Sequence, residues 1–121
     1  MSTTLNRSSI VLPLPPMHTG FGYGVERAAF LYTALESGWV RVQYTKGDGT
    51  RVTRLCTRNP SIVGTYGNSS DVRTIRDWEE TNDLSDDQIL YYDHLMGGLR
   101  SFRVSQVMDC SIDRDCPENN H

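Results

Sequence analysis

Residues Trp39 to Arg58, WVRVQYTKGDGTRVTRLCTR, restrict the fold more than any other stretch of the chain. Apolar and polar residues alternate up to Lys46-Gly47-Asp48-Gly49 and alternate again beyond it, which predicts two antiparallel strands and their loop. A lone hairpin is marginal in water, so the rest of the chain must supply further strands and a helix to cover its apolar side. With 121 residues there is length for one domain and a modest core. In the first strand Val40, Val42 and Tyr44 share the expected core face, while Trp39, Arg41, Gln43 and Thr45 share the other.

Residues 1–20 carry no periodic apolar face and read as an extended, flexible arm. Pro13 to Pro16 in it match P-x-x-P, a pattern too short to make a docking motif of a plain arm. Phe21-Gly22-Tyr23-Gly24 lacks the preceding strand that a phosphate-binding glycine loop requires and is expected to tuck against the domain. Val25, Ala28, Ala29, Leu31, Tyr32 and Leu35 fall at helical spacing, and Gly38 stands where a C-terminal cap belongs, so residues 25–37 form an amphipathic helix. Asn59-Pro60 ends the second strand because proline cannot donate to the ladder. Residues 61–82 then read as a long loop, anchored by a helical turn through Val72, Ile75 and Trp78. Ser85-Asp86-Asp87-Gln88 has capping-box spacing and predicts a helical first turn. Ile89 to Leu95 and Leu99 to Met108 form a second hairpin around Met96-Gly97-Gly98, with an irregularity near Gln106, and residues 109–121 are expected to fray as a polar tail. The single domain is thus expected over residues 21–108, with a core that includes Val40, Val42, Tyr44, Leu55, Phe102 and Val104.

Charge is unevenly distributed although the total is only −3. Residues 39–58 hold Arg41, Lys46, Arg51, Arg54 and Arg58 against Asp48, a local +4, whereas residues 71–93 hold eight carboxylates against Arg73 and Arg76, a local −6. The two segments can serve different partners or neutralise each other within the fold. The cysteines Cys56, Cys110 and Cys116 show no C-x-x-C spacing, which argues against a zinc site, and their odd number argues against a disulfide framework. Cys56 reads as a small buried apolar residue. Asp83, Asp86, Asp87, Asp93 and His94 match no metal-ligand spacing. No apolar run is long enough to cross a bilayer and no signal-peptide pattern opens the chain, so a cytoplasmic protein without membrane contact is expected.

Lys46-x-Asp48-Gly49-x-Arg51, Cys56-Thr57-x-Asn59-Pro60, Tyr92-Asp93 and Arg100-Ser101-Phe102 together resemble the small phage-associated domains grouped with WYL domains, over about residues 39–108. Family members usually have glycine where this chain has Cys56 and tryptophan where it has Leu99. The resemblance implies a phage or mobile-element protein, a mainly β (α+β) fold built as a small Sm/SH3-like barrel of about five strands with an N-terminal helix, and no catalytic chemistry.

Catalysis finds no support in the residues. His18 and His121 lie in expected arms, and neighbours on a strand point to opposite faces, so Asp93 cannot orient His94 as a base. The expectation is a non-enzymatic module that needs no cofactor and no metal. The leading function is binding of single-stranded nucleic acid through Trp39, Arg41, Arg54, Arg58, Arg100 and Arg103, a basic face with an interleaved aromatic. The competing function is capture of a host regulatory or defence protein through the acidic residues Glu79, Glu80, Asp86 and Asp87. Open sheet edges further predict a homo-oligomer, most simply a dimer.

Overall fold

The computed structural model describes residues 9–113, which form a six-stranded antiparallel sheet and three α-helices. The strands are β1 (Ser9–Val11), β2 (Val40–Thr45), β3 (Arg51–Thr57), β4 (Ile89–Asp93), β5 (Gly98–Phe102) and β6 (Val107–Asp113), in the order β1-β6-β2-β3-β4-β5. The helices are α1 (Val25–Ser37), α2 (Pro60–Tyr66) and α3 (Ser69–Thr81). Strands β2 to β5 follow one another as a meander, and β6 returns to pair with β2 on one side and β1 on the other. Among the described residues the sheet is open: β1 and β5 are its two edges, and no ladder joins them.

The period-two pattern of the first hairpin produces a sheet that is apolar on both sides. Val40, Val42 and Tyr44 point, with Cys56, Ile89, Tyr91 and Phe102, to the face covered by Ala28, Leu31, Ala34 and Leu35 of α1. On the opposite face Trp39, Leu55, Leu90, Tyr92 and Leu99 pack against Ile62 and Val63 of α2 and Val72 and Ile75 of α3. Val40, Val42, Tyr44, Phe102 and Val104 occupy the core as expected, whereas Leu55 is only half-buried and belongs to the second cluster, because it pairs with Arg41 on the other side of the hairpin.

Residues 61–82 are not a loop. Asn59 accepts a bond from Ile62 N and Pro60 takes the first helical position, where its missing N–H is no loss, so the residues that end β3 also start α2. Asn68 and Asp71 form a reciprocal capping box that opens α3. Val72, Ile75 and Trp78 are the inward stripe of this thirteen-residue helix rather than an isolated turn.

The helical turn expected at Ser85–Gln88 is absent, because β4 begins at Ile89 and leaves no room for one. Asp83 and Asp86 instead close a local turn, through Ser85 N to Asp83 Oδ1 (2.8 Å) and Asp83 N to Asp86 Oδ2 (2.8 Å). The second hairpin ends earlier than its apolar pattern suggests: β5 stops at Phe102 and a 3₁₀ turn (Val104–Gln106) redirects the chain into β6. The sheet also extends past residues 21 and 108. Asp109–Asp113 lie in β6, and Ser9–Val11 pair with it as Ile10↔Ile112. Between β1 and α1 the chain is docked, with Leu12 N on Cys110 O (2.8 Å) and Arg27 Nε on Pro15 O (2.8 Å). Leu12, Leu14 and Met17 pack on the main core.

Candidate functional site

The fold separates the six residues of the expected nucleic-acid face. Trp39 is 1% exposed, with its ring edge-on to Tyr66 (5.2 Å) and His94 (5.0 Å), so it fills the second core cluster instead of presenting a face to a base. Arg58 is also buried: its guanidinium donates to Leu90 O and Glu79 Oε1 and lies over the Tyr32 ring, 4.7 Å from the centroid. Arg54 is half-buried on the α1 side of the sheet, its Nε 3.8 Å from Oδ2 of the fully buried Asp93. Arg41 is exposed on the other side of β2, opposite Leu55 and Ser111. Arg100 and Arg103 are exposed and stand together at a single cleft.

That cleft, about 1190 Å³, runs between the β2–β3 turn and β5. Its cations are Lys46, Arg100 and Arg103, and among the described residues no carboxylate lines it. Local chemistry positions each. Lys46 begins the turn, where its N–H donates to Thr50 O (2.8 Å) and Gly49 N donates back to Lys46 O (2.9 Å). Gly49 makes this closure with φ of 89°, a conformation that L side chains rarely adopt. Asp48 accepts Thr50 N at 2.9 Å, and that bond holds its carboxyl below the usual carboxylate range. Arg100 sits on β5 opposite Tyr91, and Arg103 directly precedes the 3₁₀ turn. The turn is held by Asp87, which accepts Ser105 N (2.8 Å) and Ser105 Oγ (2.7 Å) from a left-handed backbone with φ of 55°. The floor is aromatic and closed: Tyr44 and Phe102 are buried, and the Tyr44 and Tyr91 hydroxyls lie 3.1 Å apart. Sequence reasoning overlooked Lys46 as a site residue, because only the fold brings the turn to β5.

The residues of the competing acidic surface do not form one patch. Glu79 binds Arg58 from α3, Asp86 closes the Asp83 turn, and Asp87 binds Ser105 in the 3₁₀ turn. Glu80 is exposed on α3. Glu79 also faces Glu36 of α1. Partial burial, with the Glu79 charge second, raises the Glu36 pKa, and Arg58 offsets part of this. Beside these groups Pro60, Val63, Val72 and Ile75 wall a cavity of about 240 Å³.

Asp93 turns its carboxylate inward, accepting Met96 N at 2.9 Å, while His94 is exposed beside Trp39. The two therefore do not form an acid–base pair. Cys56 and Cys110 are buried, free thiols whose pKa values burial pushes up, Cys110 to about 12, so neither is an activated nucleophile. Cys116 lies outside the described residues, as do His121 and the tail beyond Asp113. Among the described residues no group of three or more His, Cys, Asp or Glu could hold a metal ion, and no helix is long and apolar enough to cross a membrane. Comparisons of the chain with family models, with curated proteins and with solved structures find no match.

Proposed function

We propose that this chain is a non-enzymatic module that binds single-stranded nucleic acid in the cleft between the β2–β3 turn and β5. The observation that carries this reading is the cleft itself, lined by Lys46, Arg100 and Arg103 without a carboxylate in a chain whose net charge is −3. An anionic ligand meets a local field opposite in sign to the whole molecule, which directs it to one place. Of the residues singled out in the sequence, Arg100 and Arg103 carry the site and Lys46 joins them, whereas Arg41 lies on the other side of β2 and is no part of it. Trp39, Arg54 and Arg58 support the fold beneath it.

The meander β2 to β5, with β6 returning beside β2 and α1 over one side, fits an Sm/SH3-like arrangement left open at β5, and with it a phage-associated, WYL-like accessory protein working in the cytoplasm of its host. Two open edges favour a dimer. Capture of a host protein through Glu79, Glu80, Asp86 and Asp87 is the weaker reading, since three of these four carboxylates already serve intramolecular bonds.

The deciding experiment is titration of a fluorescent single-stranded oligonucleotide at low salt against the chain and its Arg100→Ala/Arg103→Ala variant. Binding that the variant loses, at an unchanged melting temperature, is expected. No binding by the unsubstituted chain would remove the nucleic-acid reading.

A further inference from the structure

We infer that the cleft grips a single strand by its phosphodiester backbone and leaves the bases unread; this deepens, and rests on, the nucleic-acid reading of the cleft. Single strands are commonly held by stacking bases on aromatic faces. Here both lining aromatics are engaged in the core. Tyr44 is 8% and Phe102 3% exposed, their rings lie 5.4 Å apart, and Phe102 packs 5.3 Å from Tyr91. The Tyr44 hydroxyl is held by that of Tyr91. No aromatic face is left for a base.

What the cleft does offer suits phosphate. Two guanidiniums and an ammonium line it, and β5, as an outer strand, keeps backbone N–H groups directed away from β4. Two of its glycines point the same way. Gly49 and Gly97 have φ of 89° and 65°, so the turns require glycine there. Gly47 and Gly98 have no left-handed φ, and a Cβ added to either would meet nothing within 4 Å. The fold does not need glycine at those two positions. The missing side chains leave the lips of the cleft clear for the close approach of another backbone.

Each neutralised phosphate of a single strand contributes about −0.7 to the slope of log affinity against log salt, so three cations give a slope of about −2, roughly a twentyfold loss between 50 and 200 mM salt. Stacking would add a base-dependent share, which this geometry lacks.

The test is fluorescence anisotropy of the full chain with three labelled strands of equal length, about 15 nucleotides each: oligo-dT, oligo-dA and an abasic sugar-phosphate strand. The expected result is affinities within about threefold of one another and the same slope of about −2. Gly98→Val, which adds bulk at the lip of the cleft without touching a charge, should weaken all three alike at an unchanged melting temperature. Loss of the abasic strand alone, or a preference above about tenfold between dT and dA, overturns the backbone-only inference while the cleft remains a nucleic-acid site. Failure of all three strands to bind, or affinities that Gly98→Val leaves untouched, removes the cleft reading together with the inference.

Discussion

Arg58 Nη2 donates to Glu79 Oε1 at 2.6 Å, across 21 positions of sequence. One residue of the basic segment and one of the acidic segment thus neutralise each other, joining the end of β3 to α3. The charge split visible along the chain is therefore partly an internal ion pair. What remains for a ligand is the cleft, whose lining among the described residues holds Lys46, Arg100 and Arg103 and no carboxylate.

The two ends of that pair should respond unequally to substitution. The Arg58 side chain is fully buried and also serves Leu90 O and the Tyr32 ring, whereas the Glu79 side chain is 47% exposed. Arg58→Ala strands the buried Leu90 carbonyl and removes a large, fully buried side chain, and should cost about 3–5 kcal/mol. Glu79→Gln keeps a side-chain acceptor, and the Glu36 charge still lies near the buried guanidinium, so it should cost less, about 2 kcal/mol. Urea unfolding of the two variants checks this, and equal losses would contradict the unequal burial.

Phe102 joins Tyr44 and Tyr91 beneath the cleft, and Phe102→Ala should cost about 3–5 kcal/mol, enough to unfold most of a domain this small. An unchanged melting temperature would contradict its place in the core. Trp39→Ala should cost a similar amount, through the second cluster.

Glu36 gives a pH dependence with a definite sign. Partial burial and then the Glu79 charge hold its folded pKa above that of an ordinary glutamate, so folding favours the neutral carboxyl. Its contribution to stability is fully present below the unfolded pKa and is lost as pH rises through the folded pKa. Glu36→Gln removes a partly buried charge and its repulsion from Glu79 and should raise the melting temperature at pH 7, with a gain that shrinks as the pH falls through the folded pKa and vanishes below the unfolded one. A gain that is constant from acid to neutral pH would show that repulsion is not its source.

Asn68 caps α3 with both halves of a capping box, and Asn68→Ala should cost about 1 kcal/mol with loss of helical ellipticity. A substitution without effect on either would mean that packing of Val72 and Ile75 alone maintains the helix.

The edges β1 and β5 leave backbone groups unpaired, and light scattering at high micromolar concentration should report a dimer. A monomer at that concentration would oppose the expected assembly.

Local pattern determined a good part of this protein. The alternation of residues 39–58 specified β2, β3 and their turn, and the helical spacing of Val25 to Leu35 specified α1, because each periodicity reports which side of one element is apolar. The start signals of α2 and α3 were present as Asn59-Pro60 and Asn68…Asp71, but they were obscured by the glycines and serines around them and by the few apolar residues of α3. Asp109–Asp113 show the opposite case. So polar a segment reads as a tail, yet it becomes a strand because β1 and β2 supply ladder partners on both of its sides. The site followed the same division. Sequence alone counted the cations; only the tertiary structure buried Trp39 and Arg58, set Arg54 against Asp93, and brought Lys46 to Arg100 and Arg103. Burial and charge pairing are properties of contacts between distant residues, and no spacing along a chain encodes which of its charges will meet.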